Sequence, residues 1–260
     1  MRVAIRRLRS VLRTFTPVLD KASVQWLRDE LGWLGSILGP VRDSDVLRGH
    51  LEALLDALPA TEVLGPVREE LDGYLTETRR SALAEALDAM RSERYLDLLD
   101  VLRAVSLAPP LSAKARQSID KAASRLLHRE LERVAKRVAA ANGYENSSDH
   151  EQALHEVRKA AKGMRYAAET FEPVLGKPVR RIAQRFVAIH ELLGSGQDAV
   201  VARDLLRQLG AQAGTRPGHS GYTYGLLAGL EERRFDQAAH KLPALWKAAS
   251  SKSLWDALDQ

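Results

Sequence analysis

Two short segments carry cations at intervals suited to holding a line of negative charge. In MRVAIRRLRSVLRTF, Arg2, Arg6, Arg9 and Arg13 follow one another at steps of four, three and four residues. In LHEVRKAAKGMRYAAETF (154–171), His155, Arg158, Lys162 and Arg165 keep a similar step. A helical residue turns by about 100°, so such steps return to one face. The four arginines fall within roughly 60° of one another, and Ile5, Leu8, Leu12, Phe15 and Leu19 make an apolar stripe about 110° away. In the second segment the cations stand about 120° from Val157, Met164, Ala168 and Phe171, in the same sense. Each helix therefore offers one stripe to a core and another to an anion. Guanidinium groups fork onto phosphate oxygens, and an ammonium acts as a point charge.

A solvated amphipathic face is the competing reading, because exposed Lys and Arg are common. Such faces usually interleave acids one turn away, which relieves repulsion. The first 19 residues contain no Asp or Glu. Cations one turn apart, a rise of about 5.4 Å, repel each other unless an anion lies across them. The pattern favours a linear polyanion.

Other residues are weaker candidates. Arg42, in GPVRDSD, reads as an anion contact at a loop or as the partner of an Asp, and the second segment's equivalent is Gln197. Lys121, Arg125 and His128 lie opposite Ile119, Leu126 and Val134 on a long helix, and read equally as solvated or as further contacts. Asp43 and Asp198 each follow a Leu-Gly pair and precede an apolar run, the place of a helix cap or first-turn acid. His155 superficially resembles a phospho-accepting histidine, but no ATP-binding or receiver module accompanies it. His190-Glu191 opens a string like H-E-x-x-H, yet the last position is Gly194, so the zinc motif fails. There is no Walker loop, glycine-rich nucleotide turn or defensible Ser–His–Asp set. The sequence predicts a binding protein rather than an enzyme, with no cofactor and no metal.

Helical periodicity runs through nearly the whole chain. It predicts helices over 1–17, 23–38, 44–58, 64–91, 93–105, 112–142, 149–174, 178–193, 198–211, 220–236 and 238–248. Breaks are expected at GPVRDSD, LPATEVLGP, LAPPLS, NGYENSSD and GTRPGHSG, where Pro, Asn-Gly and Ser-Gly favour turns. No run alternates well enough for a strand, so the fold class is all-α. Cysteine is absent, which excludes disulfides and thiolate metal sites and suits a reducing cytoplasm. No stretch approaches the roughly 18 apolar residues of a membrane span, and the arginine-threaded N-terminus is a poor signal peptide. Lys and Arg number 39 against 34 Asp and Glu. An excess so modest means that any polyanion site depends on where the charges sit.

The segments belong to an internal repeat. Arg2, Arg9, Phe15, Pro17, Val18, Leu19 and Lys21 recur 156 positions later as Arg158, Arg165, Phe171, Pro173, Val174, Leu175 and Lys177. After one deletion Leu38, Gly39 and Asp43 recur as Leu193, Gly194 and Asp198. The first copy spans about 1–91, the second about 149–236 before a C-terminal helix, with 93–142 connecting them. Two copies imply two bundles related by a pseudo-twofold axis. The second copy is preceded by a helix and by His155, the first by nothing, and the expectation is an N-terminal piece lost by truncation or by a late start.

MRVAIRRLRS, LGPVRDSDV and LHEVRKAAKGMRY together resemble the two signature regions of CHAD domains, over essentially the whole chain. The resemblance implies paired four-helix bundles around a basic central channel and binding of inorganic polyphosphate. It implies that Arg2, Arg6, Arg9 and Arg13, with His155, Arg158, Lys162 and Arg165, line that channel. Some family members are fused behind a triphosphate-tunnel (CYTH) domain, and some associate with polyphosphate granules. One departure is that the family's histidine before the first stripe, and the helix carrying it, are absent. Polyphosphate is thus the expected partner, in the cytoplasm and in some settings at granules. Single-stranded nucleic acid is the alternative, weakened because no aromatic lies on either stripe to stack bases. A phosphoanhydride-processing enzyme would need a carboxylate cluster, and the repeat shares only Asp43 and Asp198. A pure scaffold would have no salt-sensitive ligand.

Overall fold

The computed structural model describes residues 1–116, 118–143 and 147–258, without the side chains of 119–121 and 147. Among the described residues the protein is all-α, with no strand beyond an isolated bridge between Leu19 and Leu111. The helices are α1 (Arg2–Phe15), α2 (Lys21–Asp56), α3 (Val67–Arg91), α4 (Glu93–Leu107), α5 (Ile119–Ala141), α6 (Ser147–Leu175), α7 (Lys177–Ala213), α8 (Tyr222–Ala249) and α9 (Lys252–Asp256). Short 3-10 turns at Ala60–Glu62 and Ala113–Arg116 fall beside predicted Pro-rich breaks, and a third, Thr16–Val18, ends α1 two residues before the predicted end at 17. Among the described residues no helix is long and apolar enough to cross a membrane.

Three predicted breaks are absent. The chain runs through Gly39-Pro40 inside α2, through Gly194–Asp198 inside α7, and past 236–238 inside α8. A proline inside a helix costs about 3 kcal/mol, but apolar residues on both sides of Pro40 are buried, from Val24, Leu27, Leu31 and Leu34 to Leu51 and Leu55. Packing on both sides of the proline outweighs the local preference. In α7 the glycine serves close approach instead of a turn. A Cβ on Gly196 would lie 3.2 Å from the Ala238 Cβ of α8. Asp43 and Asp198 are consequently exposed mid-helix residues and not caps, and Arg42 lies on a helix and not a loop.

The chain divides into two compact units, each built from both copies. Unit 1 comprises 1–35, 93–194 and 239–260, and unit 2 comprises 36–92 and 195–238. Unit 2 is a four-helix arrangement of parts of α2, α7 and α8 with α3. Its core joins Leu51 and Leu55, Leu71 and Leu75, Leu205 and Leu206, and Tyr224 and Leu227. Thr223 stitches the turn before α3 to α8, receiving the Leu64 amide at 2.8 Å and donating to the Glu62 carbonyl at 2.7 Å.

Unit 1 holds both cationic segments. Helix α6 packs along α5 and against α1. Its buried Ala160, Ala161, Gly163, Ala167 and Ala168 keep its surface small, so neighbouring helices approach closely. The faces of α2 and α7 in this unit match position for position. Val24, Leu27, Leu31 and Leu34 are buried, as are Val179, Ile182, Phe186 and Ile189, each 155 positions later.

Candidate anion-binding site

Equivalent residues of the two copies meet in unit 1. Phe15 and Phe171 face each other with ring centroids 5.1 Å apart. Residues at a twofold axis behave this way, each meeting its own equivalent. Lys162 and Arg6 are also equivalents, so the cationic stripes converge along with the rings.

The convergence is written in the electrostatics. Burial first, then Arg6, Arg158, Arg2 and Arg165, bring the Lys162 ammonium down to about 7. An ammonium so far below its ordinary range reflects crowding by like charge in a partly desolvated place. Among the described residues no carboxylate pairs with Arg6, Arg9 or Lys162. Two glycines make room for the long side chains. A Cβ on Gly32 would lie 3.2 Å from Arg9 Nη2, and one on Gly194 would lie 3.6 Å from Arg158 Nε.

The stripes end in ion pairs. Arg13 Nη2 donates to Glu130 Oε2 of α5 at 3.0 Å, with Glu130 buried. Its guanidinium crosses α6 over Gly163, where a Cβ would lie 2.9 Å from Arg13 Cζ. Burial lowers the Arg13 pKa while Glu130 opposes the change. At the equivalent place α6 carries Glu169, which accepts from Arg165 Nε at 2.6 Å and pairs with Arg7 at 3.3 Å. Arg7 and Arg165 also lie over the Tyr166 ring. The uncompensated charge is therefore centred on Arg6, Arg9 and Lys162, with Arg2 and Arg158 beside Lys162.

The remaining predicted residues scatter. His155 is half-buried on α6, one turn before Arg158. His128 of α5 faces its own helix, its Nδ1 3.0 Å from the Ser124 carbonyl, and lies 5.1 Å from the Trp255 ring. Arg125 is exposed on α5, and the Lys121 side chain lies outside the described residues. Arg42 belongs to unit 2.

His190 is the residue that the stripes do not reveal. It lies on α7, and burial, then Arg158, Lys162, Arg165 and Arg6, pull its imidazole down to about 4. Both ring nitrogens are buried with no partner among the described residues. The first copy has Gly35 at that position, so the repeat gives no hint of it. Its place between buried Ile189 and Leu193 is the available signal: a histidine on an apolar face, one turn before the small Gly194. An unsatisfied buried imidazole amid cations is a site short of an acceptor. Together the arrangement can hold a multiply charged anion by forks, a point charge and a ring N–H.

The CHAD domain family model matches residues 1–207. The chain belongs to the CHAD family. Two relatives from Mycobacterium tuberculosis, the uncharacterized proteins MT2285 and Rv2226, are each 34% identical over 256 residues, covering 95% of this chain. This CHAD chain matches 48% of their length, so it spans about half of the relatives. Among solved structures, the CHAD domain from the plant Ricinus communis aligns with a TM-score of 0.62 and 26% identity, covering 100% of this chain and 80% of that one. PptA from Streptomyces chartreusis aligns with a TM-score of 0.73 and 23% identity, over 95% of this chain and 87% of that one, a likeness of fold.

Proposed function

We propose that this CHAD domain binds inorganic polyphosphate, without catalysis, along the convergent stripes of α1 and α6. The observation that carries the reading is Lys162. It is crowded by Arg6, Arg158, Arg2 and Arg165 and has no carboxylate among the described residues. A cluster of this kind is destabilising by itself, and an anion laid across it turns repulsion into attraction. Arg2, Arg6 and Arg9 fork onto successive phosphate oxygens, Lys162 and Arg158 close from the other helix, and His190 gains the acceptor it lacks.

The arrangement favours a phosphate chain over single-stranded nucleic acid. Base recognition without sequence preference uses aromatic platforms. Here Phe15 and Phe171 pack on each other, and Tyr166 is buried beneath Arg7 and Arg165. Cytoplasmic polyphosphate granules are the corresponding cellular location. The test is titration of labelled long-chain polyphosphate into the wild type and into Arg6→Glu and Lys162→Glu, with phosphate release followed in magnesium. The reading expects binding lost in both variants, with native circular dichroism and no release. Wild-type affinity in either variant rejects the stripes, and release above background rejects the non-catalytic part.

A further inference from the structure

A second basic cavity lies in unit 1 at the far end of the first stripe, sharing Arg13 with it. The far end of α1, the start of α2, the 3-10 turn Ala113–Arg116 and α5 enclose a cavity of about 830 Å³. Arg13, Lys21, Arg28, Lys114, Arg129 and Arg133 line it, against two carboxylates, Asp20 and Glu130. Both acids are engaged: Asp20 accepts the Ser23 amide at 2.9 Å, and Glu130 holds Arg13 at 3.0 Å and Arg133 at 3.6 Å. Among the described residues no carboxylate pairs with Lys21, Arg28, Lys114 or Arg129.

The cavity has a fixed frame. The Ser112 amide donates to the Val18 carbonyl at 3.0 Å, and the Asp20 amide donates to the Pro110 carbonyl at 2.8 Å. These bonds hold the turn that bears Lys114 against the start of α2.

We propose that this cavity binds a compact oligophosphate, a triphosphate group or an anion of similar charge. Among the described residues six cations against two carboxylates leave an excess of four positive charges, which the triphosphate group of a nucleotide balances when fully ionised and free tripolyphosphate, with one charge more, slightly exceeds. The volume falls within the range of small-molecule sites. Among the described residues no aromatic side chain lines the cavity, so recognition rests on phosphate oxygens and not on a nucleobase. The source is either free tripolyphosphate or the tail of a nucleoside triphosphate. The site shares Arg13 with the first stripe, but Lys114 and Arg129 lie on neither stripe, so a variant at those two tests it apart from the polyphosphate reading.

Calorimetric titration of the full chain at low salt tests it, using tripolyphosphate, ATP and orthophosphate as separate titrants. The proteins are wild type, Lys114→Glu/Arg129→Glu and Arg6→Glu/Lys162→Glu. Lys114 and Arg129 are exposed, so the first double variant keeps its fold by circular dichroism. Tripolyphosphate binds wild type and the stripe variant equally, and the cavity variant at least tenfold more weakly. ATP binding as tightly as tripolyphosphate assigns the site to the triphosphate group of either source, whereas weaker ATP binding assigns it to the free oligophosphate. Wild-type affinity in the cavity variant, no tripolyphosphate binding to the wild type, or loss in the stripe variant overturns the proposal. Long-chain polyphosphate titrated into the same proteins keeps failure of this site distinct from failure of the stripes.

Discussion

Arginines are abundant in both units, but they are used differently. In unit 2, Arg48 pairs with Asp72, Arg68 with Asp56, Arg79 with Asp45, Arg203 and Arg207 with Glu232, and Arg216 with Glu70. In unit 1 several arginines are paired as well, Arg7 with Glu169, Arg94 with Glu30 and Arg180 with Glu172, but the stripes gather Arg6, Arg9 and Lys162 without an acid among the described residues, and end in pairs at Arg13 and Arg165. A net charge of +5 over the chain conceals this contrast. Matched charges serve the fold. Unmatched charges, held together by packing around Phe15 and Phe171, are stored repulsion, which the proposed anion would release.

Charge reversal breaks the comparison most sharply. Arg6→Glu/Lys162→Glu removes two charge-assisted contacts and adds repulsion, and should weaken polyphosphate binding roughly thousandfold. Arg68→Glu in unit 2, an exposed pair with Asp56, should change it by about twofold or less. Fluorescence titration of both variants measures the difference.

Salt comes next. Five cations, Arg2, Arg6, Arg9, Arg158 and Lys162, each neutralising a phosphate, should lower affinity about hundredfold between roughly 50 and 200 mM salt, by analogy with single-stranded nucleic acid. The stripe variant should show a shallower slope, and the Arg68 variant the wild-type slope.

The third effect concerns the paired end of the stripe. Gly163→Val places side-chain carbon where the Arg13 guanidinium passes, separating it from buried Glu130. Breaking a buried pair leaves a charge uncompensated, and Arg133 at 3.6 Å offsets part of that. The expected loss of folding stability is about 2–3 kcal/mol, read from urea denaturation.

The smallest effect is in pH. In the free domain Lys162 is neutral above about pH 7, and a bound anion raises its pKa. Binding therefore takes up a proton at mildly alkaline pH, and affinity falls as pH rises, by at most about tenfold per unit. Calorimetry in buffers of different ionisation enthalpy detects the proton, and Lys162→Arg, charged throughout, should flatten the profile. The same depression makes the unfolded chain hold the proton more strongly than the folded one between about 7 and 10.5. Stability from this group therefore rises with pH across that window.

The all-α fold and the stripes were legible because each rests on spacing within one helix. Arg2 to Arg13 share a face by arithmetic, and the lack of nearby acids is visible in the first 19 residues. The breaks at Gly39-Pro40 and Gly194 were misleading because burial along α2 and α7 overrides the turn preference of those residues. Pairing divides in the same way. Glu169 lies four residues after Arg165 and could be seen, whereas Glu130 is 117 residues from Arg13 and meets it only through folding. His190 escaped because the repeat replaces it with Gly35, and its chemistry comes from burial and then from cations on α1 and α6. The mixing of both copies within each unit is likewise a product of packing and not of sequence order.

The most direct test of the central claim is titration of labelled long-chain polyphosphate at two salt concentrations, competed with single-stranded DNA of equal charge. The account predicts tight, salt-sensitive binding that DNA fails to displace and that Lys162→Glu abolishes. Equal displacement by DNA, or wild-type binding by Lys162→Glu, would contradict it.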